Sequence, residues 1–599
     1  MTPPQSSRTP SFAHLLTDRV AATPDAEAFR FRVGTRWTSL TWRQARDRAF
    51  DLAAGLVDLG VGPEDRVAIA AGTRVDWILA DLAIMCAGGA TTAVYPSTTA
   101  EEVAYILGDS GSVVAFAEDA NQVAKIADAD LPDLRTLVVF DGPGDGERVL
   151  TLDQLAERGR ALLAREPLAV QARIDDLGPE RLATLIYTSG TTGRPKGVRL
   201  VHDNWTYEAR AVEELDILRP DDVQYLWLPL SHVFGKVLLA IQLRIGFATA
   251  VDGDLDRLVA NLADVKPTFM AGAPRIFEKV RARATMTAQS AGGAKAKIFD
   301  WAFRVGIAAS RARQRGDAPG VALRLQTTVA DKLVYAKIRH IVGGRVRFFV
   351  SGSAKLSMDV AEWFDAAGMK VLEGYGLTES SAATCVNLPG DLRLGTVGPP
   401  LPGTEVVIAA DGEILFRGPG VMRGYHNRPD ATEEVLTADG WFHTGDIGEL
   451  RDGYVAVTDR KKDLIKTSGG KYVAPQKIET LVKSTSPYAS QVIVHGDGRK
   501  FVSALITLDP DAIQDWAGRN GLGELSLEDL ADSPQVRELL DGQITEVNSH
   551  LERWETVKKF VILPRDLSVE EGELTPSMKV RRRSVEKRYS AELDKLYVD

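Results

Sequence analysis

Between Thr188 and Lys196 the chain reads TSGTTGRPK, four hydroxyls, two glycines, an arginine and a lysine directly after the apolar run LIY. Glycines let a backbone bend until successive N–H groups face one anion, and the Thr and Ser hydroxyls add further donors. Lys196 contributes a mobile positive charge suited to a terminal phosphate. The spacing is not that of a Walker A loop: counting from Gly190, the position that loop reserves for its second glycine holds Pro195, and Gly197 follows the lysine where Ser or Thr would stand. A mobile surface loop is the competing reading. The density of donors directly after a strand favours phosphate binding.

Other chemistries find less support. The two cysteines, Cys86 and Cys385, lie far apart and imply neither a disulfide framework nor a thiolate metal site. The eight histidines show no ligand-like pairing, so a structural metal is not expected. A net charge of -10 argues against nucleic acid as a partner. The N-terminal MTPPQSSRTPSF lacks a secretory pattern, and VLLAIQLRIGFATAV, the best apolar stretch, is broken by Gln242 and Arg244. A cytoplasmic protein is expected.

The elements that must position the loop follow from periodicity. A chain of 599 residues exceeds what one core supports. TWRQARDRAFDLAAGLVDLGV has helical spacing, DRVAIAAG and VVAFAED read as buried strands, and TLIYTSG supplies the strand before the loop. Strands alternating with helices predict α/β layers. After about residue 400, short strands with glycine punctuation predict a β-rich subdomain. Beyond TDRKKD a smaller α/β unit follows. The five charged residues Asp459–Asp463 read as an exposed linker. The expected division is a large domain over 1–459, a hinge at 460–462 and a small mobile domain over 463–599.

The segment YTSGTTGRPKGV resembles the phosphate loop of the adenylate-forming superfamily, which includes acyl-CoA synthetases, luciferases and peptide-synthetase adenylation domains. EGYGLTES (Glu373–Ser380), WFHTGDIG (Trp441–Gly448), DRKKDLIKTSGGKYVAPQKIE (Asp459–Glu479) and GELTPSMKVRR follow in the family's order. Five motifs in order across residues 40–590 make a specific signal. The pattern is most similar to bacterial long-chain fatty acyl-CoA synthetases of actinobacterial type. The resemblance implies that Thr188, Ser189, Gly190, Thr191, Thr192, Gly193 and Lys196 hold the β- and γ-phosphates. It implies Mg²⁺ on Glu379 with Thr188, the α-phosphate on Thr378, and adenine on Tyr375 beside Gly374 and Gly376. Gly352 and Ser353 in VSGSAKL line the adenine by the same resemblance. Asp446 would accept from the ribose hydroxyls, with Arg460 nearby, and His232 in PLSHVF would lie beside the acyl carboxylate. Lys579 would bridge carboxylate and α-phosphate, while Lys462 marks the hinge. Lys466, Ser468 and Gly469 would face coenzyme A in a second half-reaction.

The implied activity is ATP-dependent ligation of a long-chain fatty acid to coenzyme A through an acyl-AMP, with release of pyrophosphate. An acyl-AMP ligase serving a carrier protein is disfavoured by the intact GRPKG and the lack of a Gly-Asp-Ser carrier pattern. A non-catalytic lipid-binding protein would not need Lys196, Glu379 and Lys579 together. The segment around residues 275–340 resembles the insertion of long-chain members. From Arg275 to Arg347 sixteen Lys or Arg stand against four Asp or Glu, a local excess of +12. That excess reads either as a solvated helical face or as peripheral contact with an anionic membrane on the inner face of the cell, with Phe299, Trp301 and Phe303 as apolar anchors.

Overall fold

A computed structural model describes residues 9–188 and 194–598; the predicted phosphate-loop residues Ser189, Gly190, Thr191, Thr192 and Gly193 lie outside the described residues. Two large, mostly parallel sheets form the body. The first has seven strands, in the spatial order Val149–Thr151, Thr136–Val139, Val114–Ala117, Arg66–Ala70, Ala90–Val94, Leu182–Thr188 and Lys196–Val201. All pairs are parallel except the last, in which Thr188 lies opposite Lys196. The two ends of the predicted phosphate loop are thus pinned side by side by an antiparallel ladder.

The second sheet has eight strands and carries, in its parallel centre, Val223–Leu226, Phe269–Gly272, Phe348–Ser351 and Lys370–Tyr375. An N-terminal hairpin, Glu27–Val33 and Arg36–Thr41, closes its far edge by pairing with Ala248–Val251. Periodicity does not foretell that pairing, because the partners are more than 200 residues apart. VLLAIQLRIGFATAV, read as core, forms the buried helix Val233–Ile245 and the strand Ala248–Val251. Among the described residues no helix is long and apolar enough to cross a membrane.

A four-stranded antiparallel sheet follows, from Glu405–Ile408 to Tyr454–Arg460, and matches the predicted β-rich subdomain. The last part contains the hairpin Ile465–Lys466 and Tyr472–Val473, then a three-stranded sheet of Ala489–His495, Val502–Leu508 and Val557–Ile562. It has its own apolar core around Val473, Ile478, Ala504 and Val536.

Two local expectations need correction. Asp459 is not on an exposed linker: it is buried within the strand Tyr454–Arg460, and exposure begins at Lys461. Phe299 and Phe303 are not free anchors. Both are buried in the core beneath the helix Gly293–Gln314, where Phe303 stacks on Trp363 with ring centroids 4.6 Å apart, and Trp301 packs against the same core. Helical periodicity turned these aromatic rings inward.

Candidate active site

The carboxyl ends of strands from both large sheets face one another across a cavity of about 640 Å³. Parallel α/β sheets place ligands at such ends. Thr188 ends one strand and Lys196 opens the next; both line the cavity, as do Gly352, Ser353, Gly374, Tyr375, Gly376, Thr378, Glu379, His232, Arg460, Lys462 and Lys579.

The turn that carries Thr378 and Glu379 is tightly built. The strand Lys370–Tyr375 ends at Tyr375, and Thr384 N–H closes back on the Tyr375 carbonyl at 2.8 Å. Gly376 is needed there, because a Cβ would sit 1.9 Å from the Ala382 carbonyl oxygen. The 3₁₀ turn Thr378–Ser380 then aims Thr378 and Glu379 at the cavity. Glu379 Oε1 accepts from the Tyr425 hydroxyl at 2.8 Å, and the Lys196 ammonium lies 4.9 Å from the centre of the Tyr425 ring. Tyr425 reaches this place because its stretch bridges to Val198, beside the strand that Lys196 opens. Sequence reasoning missed Tyr425; its only signal was a tyrosine closing the glycine-punctuated run GPGVMRGY.

Asp446 lies one layer behind the cavity wall. It is buried, its Oδ2 accepts from the Tyr375 hydroxyl at 2.6 Å and its Oδ1 from Arg460 Nε at 2.9 Å. A carboxylate has about four lone-pair sites, so acceptor capacity remains beyond these two bonds.

His232 caps the helix Val233–Ile245. Its Nδ1 accepts from the Phe234 N–H at 3.1 Å. Burial, with the nearby Lys579 ammonium, pushes its pKa down to about 3, so the ring is neutral at ordinary pH. A neutral imidazole that accepts at Nδ1 carries its proton at Nε2, leaving one donor for the cavity. The same helix is anchored one turn later. Lys236 is fully buried, and its ammonium lies 2.5 Å from both oxygens of the fully buried Asp81, with the Phe12 ring 4.5 Å away. Removing either partner would leave an uncompensated buried charge. Sequence reasoning missed this pair too, because nothing local links positions 81 and 236.

Lys579 arrives from the far end of the chain. Thr575 N–H donates to the Lys579 carbonyl and Lys579 N–H to the Thr575 hydroxyl, at 2.8 and 3.0 Å, folding residues 575–579 into a tight loop. Its side chain is exposed to the open volume of the cavity, with protein crowding it from the sides. Crowding by protein lowers its pKa, Arg460 lowers it further, and the Asp446 and Glu379 carboxylates oppose that shift. The loop is fastened across to the body: Arg581 pairs with Glu102 at 2.8 Å, and the Ser97 hydroxyl donates to the Pro576 carbonyl at 3.4 Å. Lys466, Ser468 and Gly469 are exposed on and beside the hairpin Ile465–Lys466 and Tyr472–Val473 and do not reach the cavity.

Cationic, hydroxyl and carboxylate groups that converge on a cavity this size suit an anionic nucleotide and a second anion. Similarity to known proteins points the same way. Residues 16–426 match the AMP-binding enzyme family, and residues 462–599 match the AMP-binding enzyme C-terminal domain. The long-chain-fatty-acid–CoA ligase FadD15 of Mycobacterium bovis is 38% identical over 580 residues, 96% of this chain and 95% of that protein. Long-chain-fatty-acid–CoA ligase 1 of Cavia porcellus is 30% identical, covering 93% of this chain and 82% of its own. In fold, the chain is similar to the A-PCP didomain of carboxylic acid reductase from Segniliparus rugosus in complex with AMP, with a TM-score of 0.74 at 22% identity over 99% of this chain and 83% of that one. A Mycobacterium tuberculosis fatty acyl CoA synthetase superposes with a TM-score of 0.61 at 22% identity, over 97% and 99% of the two chains. With both family segments matched in order and a full-length relative at this identity, the chain belongs to the AMP-binding, adenylate-forming enzymes.

Proposed function

We propose that this protein is an ATP-dependent long-chain-fatty-acid–CoA ligase that works through an acyl-AMP. The observation that carries the reading is the convergence of the Lys579 ammonium, the His232 Nε2 donor and the Thr378–Glu379 turn on one cavity. The full-length similarity to long-chain-fatty-acid–CoA ligases supports the choice of substrate.

In the first half-reaction a carboxylate oxygen attacks the α-phosphorus of ATP, and the bond to the β-phosphate oxygen breaks, so that pyrophosphate leaves with the electron pair. Two anions must approach, and the barrier falls if fixed cations and donors face the charge that develops. His232 would donate from Nε2 to the substrate carboxylate and hold it without adding charge. Lys579 would bridge carboxylate and α-phosphate, with Thr378 donating to the same phosphate. Lys196 and the loop from Thr188 would bind the β- and γ-phosphates. Tyr375 would stack on adenine between Gly374, Gly376 and the Gly352–Ser353 segment. Asp446, with Arg460, would take the ribose hydroxyls through its remaining lone pairs.

Glu379 and Thr188 are a donor set that fits Mg²⁺, an ion that takes few protein oxygens and completes its shell with phosphates and water. Among the described residues no cluster of three His, Cys, Asp or Glu offers an all-protein cage. When bound, the ion neutralises phosphate charge.

In the second half-reaction the coenzyme A thiol must reach the acyl carbon, where Lys579 stands. We assign residues 1–459 to a body, 460–462 to a hinge and 463–599 to a mobile domain that withdraws Lys579 and presents Lys466, Ser468 and Gly469 to coenzyme A.

ATP–pyrophosphate exchange with and without coenzyme A tests this, over acids of about eight to twenty carbons. Acid-dependent exchange, with acyl-CoA forming once coenzyme A is added, is expected. Exchange without thioester would assign the chain to carrier-protein ligases, and no exchange with any acid would overturn catalysis.

A further inference from the structure

One buried carboxyl behind the cavity wall stands apart from the residues assigned above. Glu208 lies on the helix His202–Glu214, which follows the strand that Lys196 opens. It is fully buried, and neither of its carboxyl oxygens has a hydrogen-bond partner among the described residues. Burial raises its pKa well above the ordinary carboxyl range, with the Ala383 amide opposing only part of the rise. Folding alone does not ask for such a group, because an apolar side chain of similar volume would fill the space at lower cost. Its surroundings supply a use for it.

The carboxyl sits against the back of the turn that carries Thr378 and Glu379. A Cβ on Gly420 would lie 3.0 Å from Glu208 Oε1 and 3.3 Å from the Ser380 carbonyl oxygen, so one space, kept open by a glycine, separates the two. Just past Ser380 the backbone is strained. Ser381 and Ala382 take φ of 61° and 89°, a left-handed region that residues other than glycine rarely enter. Two such residues in succession persist only where their surroundings hold them. Part of that hold is visible. The Ser380 hydroxyl accepts from the Leu377 N–H at 2.9 Å and from the Thr384 hydroxyl at 2.8 Å, and the Ser381 hydroxyl donates to the Gly420 carbonyl at 2.6 Å. Asn204, one turn before Glu208 on the same helix, donates to the Pro419 and Val421 carbonyls at 2.7 and 3.1 Å. A carboxylic acid adds one donor and one acceptor. Those match the Ser380 carbonyl and the Ala383 N–H, which flank the two strained residues.

We propose that Glu208 is a positioning residue: its carboxyl braces the strained Ser380–Ala383 turn from behind and so fixes where Thr378 and Glu379 stand in the cavity. It ties the Lys196 side of the site to the Glu379 side at the back, as Tyr425 does at the front. That Thr378 and Glu379 serve ATP and Mg²⁺ rests on the function proposed above; the bracing itself does not.

The test uses the full chain. Glu208→Met removes donor and acceptor at similar volume, and Glu208→Gln keeps both. With no ligand added, amide hydrogen exchange over residues 378–384 should quicken about tenfold in Glu208→Met, with the strand Arg66–Ala70 unchanged, and stay near the parent rate in Glu208→Gln. In ATP–pyrophosphate exchange, Glu208→Met should lose about tenfold in kcat, with KM for the acid within about twofold of the parent. Its conversion of supplied acyl-AMP and coenzyme A to thioester should be unchanged, and Glu208→Gln should recover kcat. Gly420→Ala, which puts a methyl 3.0 Å from Oε1, reaches the same contact from the opposite wall and should quicken amide exchange over the same residues. It decides the matter if Glu208→Met does not fold. Amide exchange that stays slow at 378–384, or that quickens evenly through the chain, would overturn the proposal. So would a Gln variant as damaged as the Met variant. An unaltered chain without ligase activity would sink the function proposed above and leave the amide-exchange result standing, so the two readings fail separately.

Discussion

Under the proposed function, Lys579 and His232 would divide one task by charge state. His232 is held neutral by burial and by its neighbouring ammonium, and its helix-capping bond fixes which nitrogen keeps the proton. It can orient a carboxylate without competing with Lys579 for the developing charge. Lys579→Ala should remove transition-state stabilisation from adenylation alone. One charge-assisted contact of this sort is worth about 3 kcal/mol, or about two decades of rate. The variant should lose ATP-dependent ligation yet still convert supplied acyl-AMP and coenzyme A to thioester. Equal damage to both half-reactions would make the lysine a general structural element. The side chains that sequence could name were those inside motifs. Tyr425, which joins Lys196 to Glu379, and the Asp81–Lys236 pair stayed hidden, because their meaning lies in partners far along the chain that only the folded sheets bring near.

Among elements, the strands and helices of the body were legible because buried parallel strands are short apolar runs between amphipathic helices. The segment DRKKD shows where that reading stopped. A run of charge was taken as solvent-facing, but the strand Tyr454–Arg460 continues through it and buries Asp459, whose Oδ1 accepts the Arg460 N–H while its Oδ2 has no partner among the described residues. Burial raises the Asp459 pKa to about 7, helped by Glu479 and Asp463 nearby. A carboxyl that binds its proton more tightly when folded stabilises the fold below the unfolded value, near 3.8, and loses that contribution as pH rises through about 7. Melting of the unaltered chain should therefore fall between pH 5 and 8.5. Asp459→Asn, which keeps the acceptor but not the charge, should flatten that slope and stabilise at the alkaline end by on the order of 2 kcal/mol. An unchanged slope would place the titrating group elsewhere.

At the scale of the molecule, the arrangement seen is the one with Lys579 in the cavity, and polar contacts fasten it. Arg581 to Glu102, Ser97 to Pro576 and Arg275 to Ser490, the last at 3.1 Å, tie the C-terminal part to the body. Such polar fastening would suit the withdrawal of residues 463–599 proposed above. Glu102→Arg should weaken the closed arrangement and slow adenylation several-fold, with thioester formation from acyl-AMP unchanged or faster. Adding Arg581→Glu should restore adenylation by re-forming the pair in reverse. If the double variant is no better than Glu102→Arg alone, the pair is not a latch.

The walls of the cavity come from residues 93–463, apart from the short stretch of Pro576, Ser577 and Lys579. Protein synthesis therefore lays down most of the cavity wall long before Lys579. A chain still on the ribosome, or one cut short by a premature stop codon after the β-rich subdomain, would hold most of the cavity wall without the lysine assigned above to the adenylation step. Under the role proposed for Lys579, such a fragment would bind nucleotide without turning it over. A binder that turns nothing over holds at most one nucleotide per chain, so a truncated allele expressed beside an intact one would leave adenylation by the intact chain undisturbed.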